Sequence, residues 1–155
     1  TSGQRVMENV AGLLFDQSER RKSPLSVLVF DFCSMSDIRE QFGQQAVDDT
    51  HAWIKETLES ELREEDKCGQ VSFDRFMLLI PGAEAKLARK QADRFVQFFK
   101  DHSVPNWPAV KLDVVVGISE RSRHDRNPNV LTHRAATAVD MARDSGAFHI
   151  KILAV

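Results

Sequence analysis

The run Leu25-Ser26-Val27-Leu28-Val29-Phe30-Asp31-Phe32 constrains this chain more than any other segment. It is a continuous β-favouring stretch of strand length, the pattern of a strand covered on both faces. A strand of that kind needs helices above and below its sheet, and the rest of the chain supplies them. Residues 5–19 carry Val6, Val10, Leu13 and Leu14 at helical spacing, stopped by Arg20-Arg21-Lys22 and Ser23-Pro24. A short helix over residues 36–42 precedes a longer one with Val47, Thr50, Ile54, Leu58 and Leu62 on one stripe, ending near Arg63. Residues 69–73 and 76–80 read as the two arms of a hairpin closed by Pro81-Gly82.

Ala85, Ala88, Ala92, Phe95, Val96 and Phe99 mark a further amphipathic helix, and Pro105, Asn106 and Pro108 mark a loop. A strand over residues 112–118 follows. Asn127 then caps a last helix with Pro128 at its first position, Leu131, Ala135, Ala138, Val139 and Ala142 inward, and Gly146 just past its end. Residues 148–155 form the closing strand. The order predicts an α/β fold: a three-layer-like sandwich with a central five-stranded mixed sheet flanked by helices.

No repeat or linker divides the 155 residues, so residues 1–155 read as a single domain, large enough to fold on its own core. The net charge of −2 gives no drive toward nucleic acid or anionic lipid, and the apolar runs are too short to span a bilayer. Neither nucleic acid nor a membrane is therefore expected as a partner of this domain. Cys33 and Cys68 have no CxxC spacing and the five histidines are scattered, which argues against a zinc site and for a reducing, cytoplasmic setting. The edges at Thr1 and Val155, the latter on an apolar strand, predict a domain excised from a longer multidomain protein.

Across nearly its whole length the chain resembles the bacterial diguanylate cyclase family named GGDEF after its catalytic signature. Val27 to Phe32 looks like the family's first strand ending in its metal-binding Asp, here Asp31, and Ile38, Phe42, Gly43 and Asp48 follow in register. Val115-Val116-Gly117-Ile118 resembles the family's Ser-Ile-Gly-Val strand, and the helix Arg134-Ala135-Ala136 through Gly146 resembles its Arg-Ala-Asp helix. Arg63-Glu64-Glu65-Asp66 sits at the spacing of the family's inhibitory Arg-x-x-Asp motif, and Arg94 falls where a second inhibitory-site arginine is placed.

Departures concentrate where chemistry is expected. The signature turn reads Ser72-Phe73-Asp74-Arg75-Phe76 in place of Gly-Gly-Asp/Glu-Glu-Phe. Phe73 replaces the glycine that lets backbone amides approach phosphate, so its ring is expected to fill that space. Arg75 inverts the charge of the fourth signature residue and is expected to pair with Asp74. Arg39 stands where the family has a guanine-reading Asn, while Asp48 and Arg143 keep an acid at the base pocket and a cation at the phosphate position.

The resemblance therefore implies a catalytically inactive GGDEF-like domain in which Asp31, Asp74, Asp48 and Arg143 are vestiges. It implies no cofactor beyond a vestigial magnesium at Asp31 and Asp74. Cyclic di-GMP is the implied ligand, held by Arg63, Asp66 and Arg94, and the implied partners are other domains of the parent protein and a second copy in a homodimer. Read without the family, Asp31 is as readily a strand-end solvent contact, Asp74 an ordinary turn residue, and Arg63 to Asp66 a solvated charge run at a helix C-terminus. A weakly active cyclase using Asp31, Asp74 and Asp48, and a nucleotide-free dimerisation or regulatory domain, stand as the alternatives.

Overall fold

The computed structural model describes residues 2–155. Its centre is β1 (Leu25–Phe32), all eight of whose residues are buried. β1 lies third in a five-stranded sheet of order β2-β3-β1-β4-β5, formed with β2 (Lys67–Gln70), β3 (Arg75–Pro81), β4 (Val114–Glu120) and β5 (Ile150–Ile152). The three pairings through β4 are antiparallel and β4 pairs with β5 in parallel, so the sheet is mixed as the sequence predicts.

Alternation along β1 divides the core in two. Leu28, Phe30 and Phe32 join a cluster beneath α2 (Met35–Phe42), α3 (Gln44–Glu59) and α4 (Ala85–Asp101). Leu25, Val27 and Val29 join a second cluster beneath α1 (Ser2–Arg21) and α5 (Pro128–Ser145). The first face is phenylalanine-rich: Phe32 meets Phe76 and Phe99 edge-on at 5.9 and 5.3 Å, and Phe30 meets Phe95 at 5.7 Å. Each fully buried ring contributes about 1.5–3 kcal/mol through removal from water. The same alternation sends Asp31 toward the α5 side, where it is fully buried.

α5 begins and ends on the signals its sequence carries. The Asn127 side chain accepts a hydrogen bond from the Val130 N–H at 3.2 Å, Pro128 occupies the first turn, and Gly146 closes the helix at φ 64°, where an L side chain is disfavoured. α5 lies hard against β4 because Gly117 has no side chain: a Cβ there would run into Val139 N and Ala135 O of the helix backbone.

Boundaries differ from the sequence expectation where tertiary hydrogen bonds intervene. α1 runs over Ser2–Arg21, beyond residues 5–19, and β5 covers Ile150–Ile152, less than residues 148–155. β2 ends at Gln70, not at residue 73, because Val71 N–H and Ser72 N–H both turn onto the Arg75 carbonyl at 2.9 and 3.3 Å and close the hairpin. α3 ends at Glu59, so Arg63 to Asp66 is not a helix terminus. Among the described residues no helix is long and apolar enough to cross a membrane.

Gly117→Ala is expected to cost about 1–3 kcal/mol by overpacking, lowering the melting temperature by about 2–4 °C per kcal/mol, as followed by circular dichroism. Gly12→Ala serves as the control: its Cβ would meet Pro128 at an ordinary 3.9 Å, and a helix-interior alanine is expected to leave stability level or raise it.

Candidate functional site

The register of β1 on β3 sets Asp31 directly opposite Arg75. Arg75 Nε donates to Asp31 Oδ2 at 2.8 Å, and its Nη2 donates to Asp140 on α5. One turn along α5, Arg143 Nη1 donates to the same Asp31 oxygen at 3.0 Å and to Asp74 Oδ2 at 3.4 Å. The result is an alternating chain of five charges, Asp140, Arg75, Asp31, Arg143 and Asp74, drawn from β1, β3, the signature turn and α5. Arg75 thus pairs with Asp31 and Asp140, not with its sequence neighbour Asp74 as expected. Burial works against the charge on Arg75, and its hydrogen bonds to Asp140 and Asp31 outweigh that and hold it firmly protonated. Asp31 foremost does the same for Arg143. Among the described residues the buried Asp31 Oδ1 has no hydrogen-bond partner. Beside this chain lies a cavity of about 570 Å³ lined by Ser72, Asp74, Arg75 and Arg143 and by Gln4 and Glu8 of α1.

The Phe73 ring does not turn toward this side. It packs against the α2–α3–α4 core, with the Arg39 guanidinium 4.5 Å from its centroid and the His51 ring edge-on at 5.6 Å. His51 Nε2 lies 2.8 Å from the Phe73 carbonyl, and Gln70 Nε2 donates to the Ser72 carbonyl at 2.9 Å. Neither Ser72 nor Phe73 adopts positive φ, so the turn forms without the left-handed backbone glycine permits. The ring lies between Arg39 and His51, where an aromatic face attracts a cation and gains area against the core. Asp48 is exposed and accepts from Gln44 at 2.9 Å.

Arg63 to Asp66 forms a closed turn between α3 and β2. Asp66 N–H donates to the Arg63 carbonyl at 3.1 Å, and the buried Asp66 carboxylate accepts from Arg63 N–H at 2.9 Å and from Arg63 Nη2 at 3.0 Å. Arg63 Nη2 also donates to the Pro81 carbonyl at 2.6 Å. The hydrogen bond to Asp66 raises the Arg63 pKa, while its side chain stays 53% exposed. Arg94, on α4, is 60% exposed and pairs at 3.8 Å with Glu61. It lines a cleft with Trp53, Phe95 and Phe98, whereas Arg63 lines a different cavity with Arg21 and Pro81. Arg63 and Asp66 are brought together, and Arg94 lines a cleft that includes neither of them.

Sequence reasoning missed a second buried pair. Arg134 donates through Nη1 and Nη2 to the two Asp125 oxygens at 2.9 and 2.6 Å, and Asp125 also accepts from Ser122 N–H. This fork pins the loop after β4 to the first half of α5, the helix that carries Asp140 and Arg143. The signal available was the arginine itself, placed among the inward alanines of α5 where an unpaired cation is not tolerated. Burial pushes the Cys33 thiol up to about 11, with Asp31 adding to it, and pushes Cys68 up to about 12, so neither is a thiolate nucleophile at neutral pH.

The five-stranded mixed sheet flanked by helices is the fold of a nucleotidyl cyclase-like domain. Residues 2–148 match the family model described as "Diguanylate cyclase, GGDEF domain", and the chain belongs to that family. A curated diguanylate cyclase of Vibrio cholerae is 24% identical over 88 residues, 57% of this chain and 27% of that protein. The chain thus spans about a quarter of that relative's length. The active GGEEF domain of a Vibrio cholerae diguanylate cyclase superposes with a TM-score of 0.89 at 20% identity, covering 97% of this chain and 96% of that one. The GGDEF domain of DgcB from Caulobacter crescentus, solved in complex with c-di-GMP, gives 0.88 at 11% identity, covering 96% and 86%. At these identities the likeness carries the fold.

Arg134→Ala is expected to cost about 3–5 kcal/mol, because it leaves the buried Asp125 carboxylate unpaired. Chemical denaturation checks this, and Arg134→Met, tested in the background of Asp125→Leu, is expected to recover much of the loss.

Proposed function

We propose that this domain is a non-catalytic GGDEF module that receives cyclic di-GMP at the Arg63–Asp66 turn and relays occupancy to attached domains on the cytoplasmic side. The observation that carries the reading is the geometry of that turn. A buried carboxylate fixes an arginine whose side chain is half exposed, which orients the fork for the acceptor edge of a guanine or for a phosphate. Arg94 supplies a second cation on the neighbouring helix, with Trp53 and Phe98 beside it as stacking faces. The Caulobacter neighbour's c-di-GMP complex supports the same ligand class.

Support for loss of catalysis lies at the other end of the β2–β3 hairpin. The ring of Phe73, clasped by Arg39 and His51, takes up the base-pocket side of the signature turn, and Arg75 lies across Asp31. A second reading, a domain that binds no nucleotide and acts through contacts alone, is favoured by one observation: the Arg63 guanidinium is already engaged by Asp66, Glu65 and Pro81. Ligand binding at Arg63 must replace the Pro81 and Glu65 contacts while keeping Asp66.

Calorimetric titration with cyclic di-GMP separates the two. Binding is expected, with Arg63→Ala weakening it about tenfold to a hundredfold, the loss of a charge-assisted contact worth about 1.5–3 kcal/mol. Arg94→Ala is expected to weaken it least. Asp66→Ala is expected to lower both affinity and melting temperature, since Asp66 also closes the turn. Absence of heat at high micromolar ligand, with no density beside Arg63 in a soaked crystal, leaves the contact-only reading.

Incubation with GTP and magnesium or manganese is expected to yield no cyclic di-GMP above a no-protein control. Product formation abolished by Asp74→Ala sinks the non-catalytic reading. Restoring glycine at Ser72 and Phe73 together with Arg75→Glu is expected to leave activity incomplete, because Arg39 still departs from the base pocket.

A further inference from the structure

We infer that the guanidinium groups of Arg75 and Arg143 have replaced the divalent ions that the family resemblance assigns to Asp31 and Asp74, so that the signature turn is held by arginine charge and excludes metal. This goes beyond the receptor reading and does not depend on it, since nothing at the Arg63 turn takes part.

A hard divalent cation requires several converging oxygen ligands, six for magnesium in near-octahedral order. Asp31 Oδ2 is taken twice, by Arg75 Nε at 2.8 Å and Arg143 Nη1 at 3.0 Å. Asp74 Oδ2 faces Arg143 and its Oδ1 accepts from the Ser72 hydroxyl at 3.0 Å. Asp140 faces Arg75. Asp31 Oδ1 is left over, and a single oxygen is not a metal site. Among the described residues no group of three or more His, Cys, Asp or Glu converges in a way that could hold a metal ion.

Charge points the same way. Two fixed cations flank the one carboxylate that a metal would need, and a dication brought beside them meets repulsion that the low-dielectric setting of Asp31 strengthens. Nor can the arginines vacate by losing a proton: their protonation is reinforced by the carboxylates themselves. Three carboxylates against two guanidiniums leave one negative charge in excess, and it falls on the solvent side, where Asp140 is 57% and Asp74 31% exposed. What a metal would supply structurally, neutralisation of a buried Asp31, is already supplied.

The test uses manganese as the probe, read by the free-ion electron paramagnetic resonance signal and by thermal melting. The native chain is expected to leave the free-ion signal unchanged and to melt at the same temperature in manganese, magnesium or EDTA. Arg75→Glu is expected to melt lower in EDTA, to be raised by manganese in a concentration-dependent way, and to bind the ion at least about tenfold more tightly than the native chain. Arg75→Lys, which keeps the charge and loses the fork, is expected to exclude metal as the native chain does. Manganese bound by the native chain and displaced by magnesium overturns the inference, as does a folded Arg75→Glu protein that binds none. Should Arg75→Glu fail to fold, the native chain's signal decides alone: unchanged supports arginine replacement, diminished overturns it.

Discussion

Two-sided burial of β1 is the constraint from which the remaining architecture follows. A central strand with eight buried residues forces a helical layer onto each face, and it makes any charge it carries a problem to be solved locally. Asp31 is that charge. An ionised carboxylate taken out of water costs several kcal/mol unless it is paired, and here two arginines, from β3 and α5, converge on one of its oxygens. The seat of α5, the register of the β1–β3 pair and the conformation of the signature turn are thereby tied to a single side chain.

Elements with local signals were legible in the sequence. The apolar run of β1, the Asn127–Pro128 start and Gly146 end of α5 and the hairpin after residue 66 all rest on residues that act within a turn or two of themselves. The order of elements gave the mixed sheet, and the resemblance to the cyclase family singled out Asp31. Partners across the sheet were not read, although the hairpin register held the information: a strand that places Leu25 opposite Pro81 must place Asp31 opposite Arg75. Proximity in sequence suggested Asp74 instead. For Phe73 the substitution itself was visible, but the direction of the ring depends on how α2 and α3 lie, which no local pattern states. Arg134 and Asp125 lie nine residues apart across a loop, outside any helical or strand period.

The two Arg–Asp constellations use the same chemistry in different dielectric settings. Arg63 keeps half its surface in water and holds Asp66 across a turn, so salt screens it and a ligand can add to it at modest cost. Arg75 is 20% exposed and grips a fully buried carboxylate, where the same contact is stronger and far more costly to open. Exposure, more than residue type, separates an arginine that can recognise a ligand from one that is committed to the fold. Arg134, deeper still, belongs with the second kind.

The alternating ladder of Asp140, Arg75, Asp31, Arg143 and Asp74 also imposes an order on substitution. Changing Arg75 alone leaves Asp140 without its guanidinium and the fully buried Asp31 with Arg143 only, while changing Asp31 alone leaves Arg75 with Asp140 and Arg143 with Asp74. Single steps in the middle of the ladder therefore weaken two contacts at once, and coupled charges of this kind are strongly non-additive. Change at the exposed ends, Asp140 and Asp74, is thus cheaper than change in the middle of the ladder, where each side chain serves two partners at once.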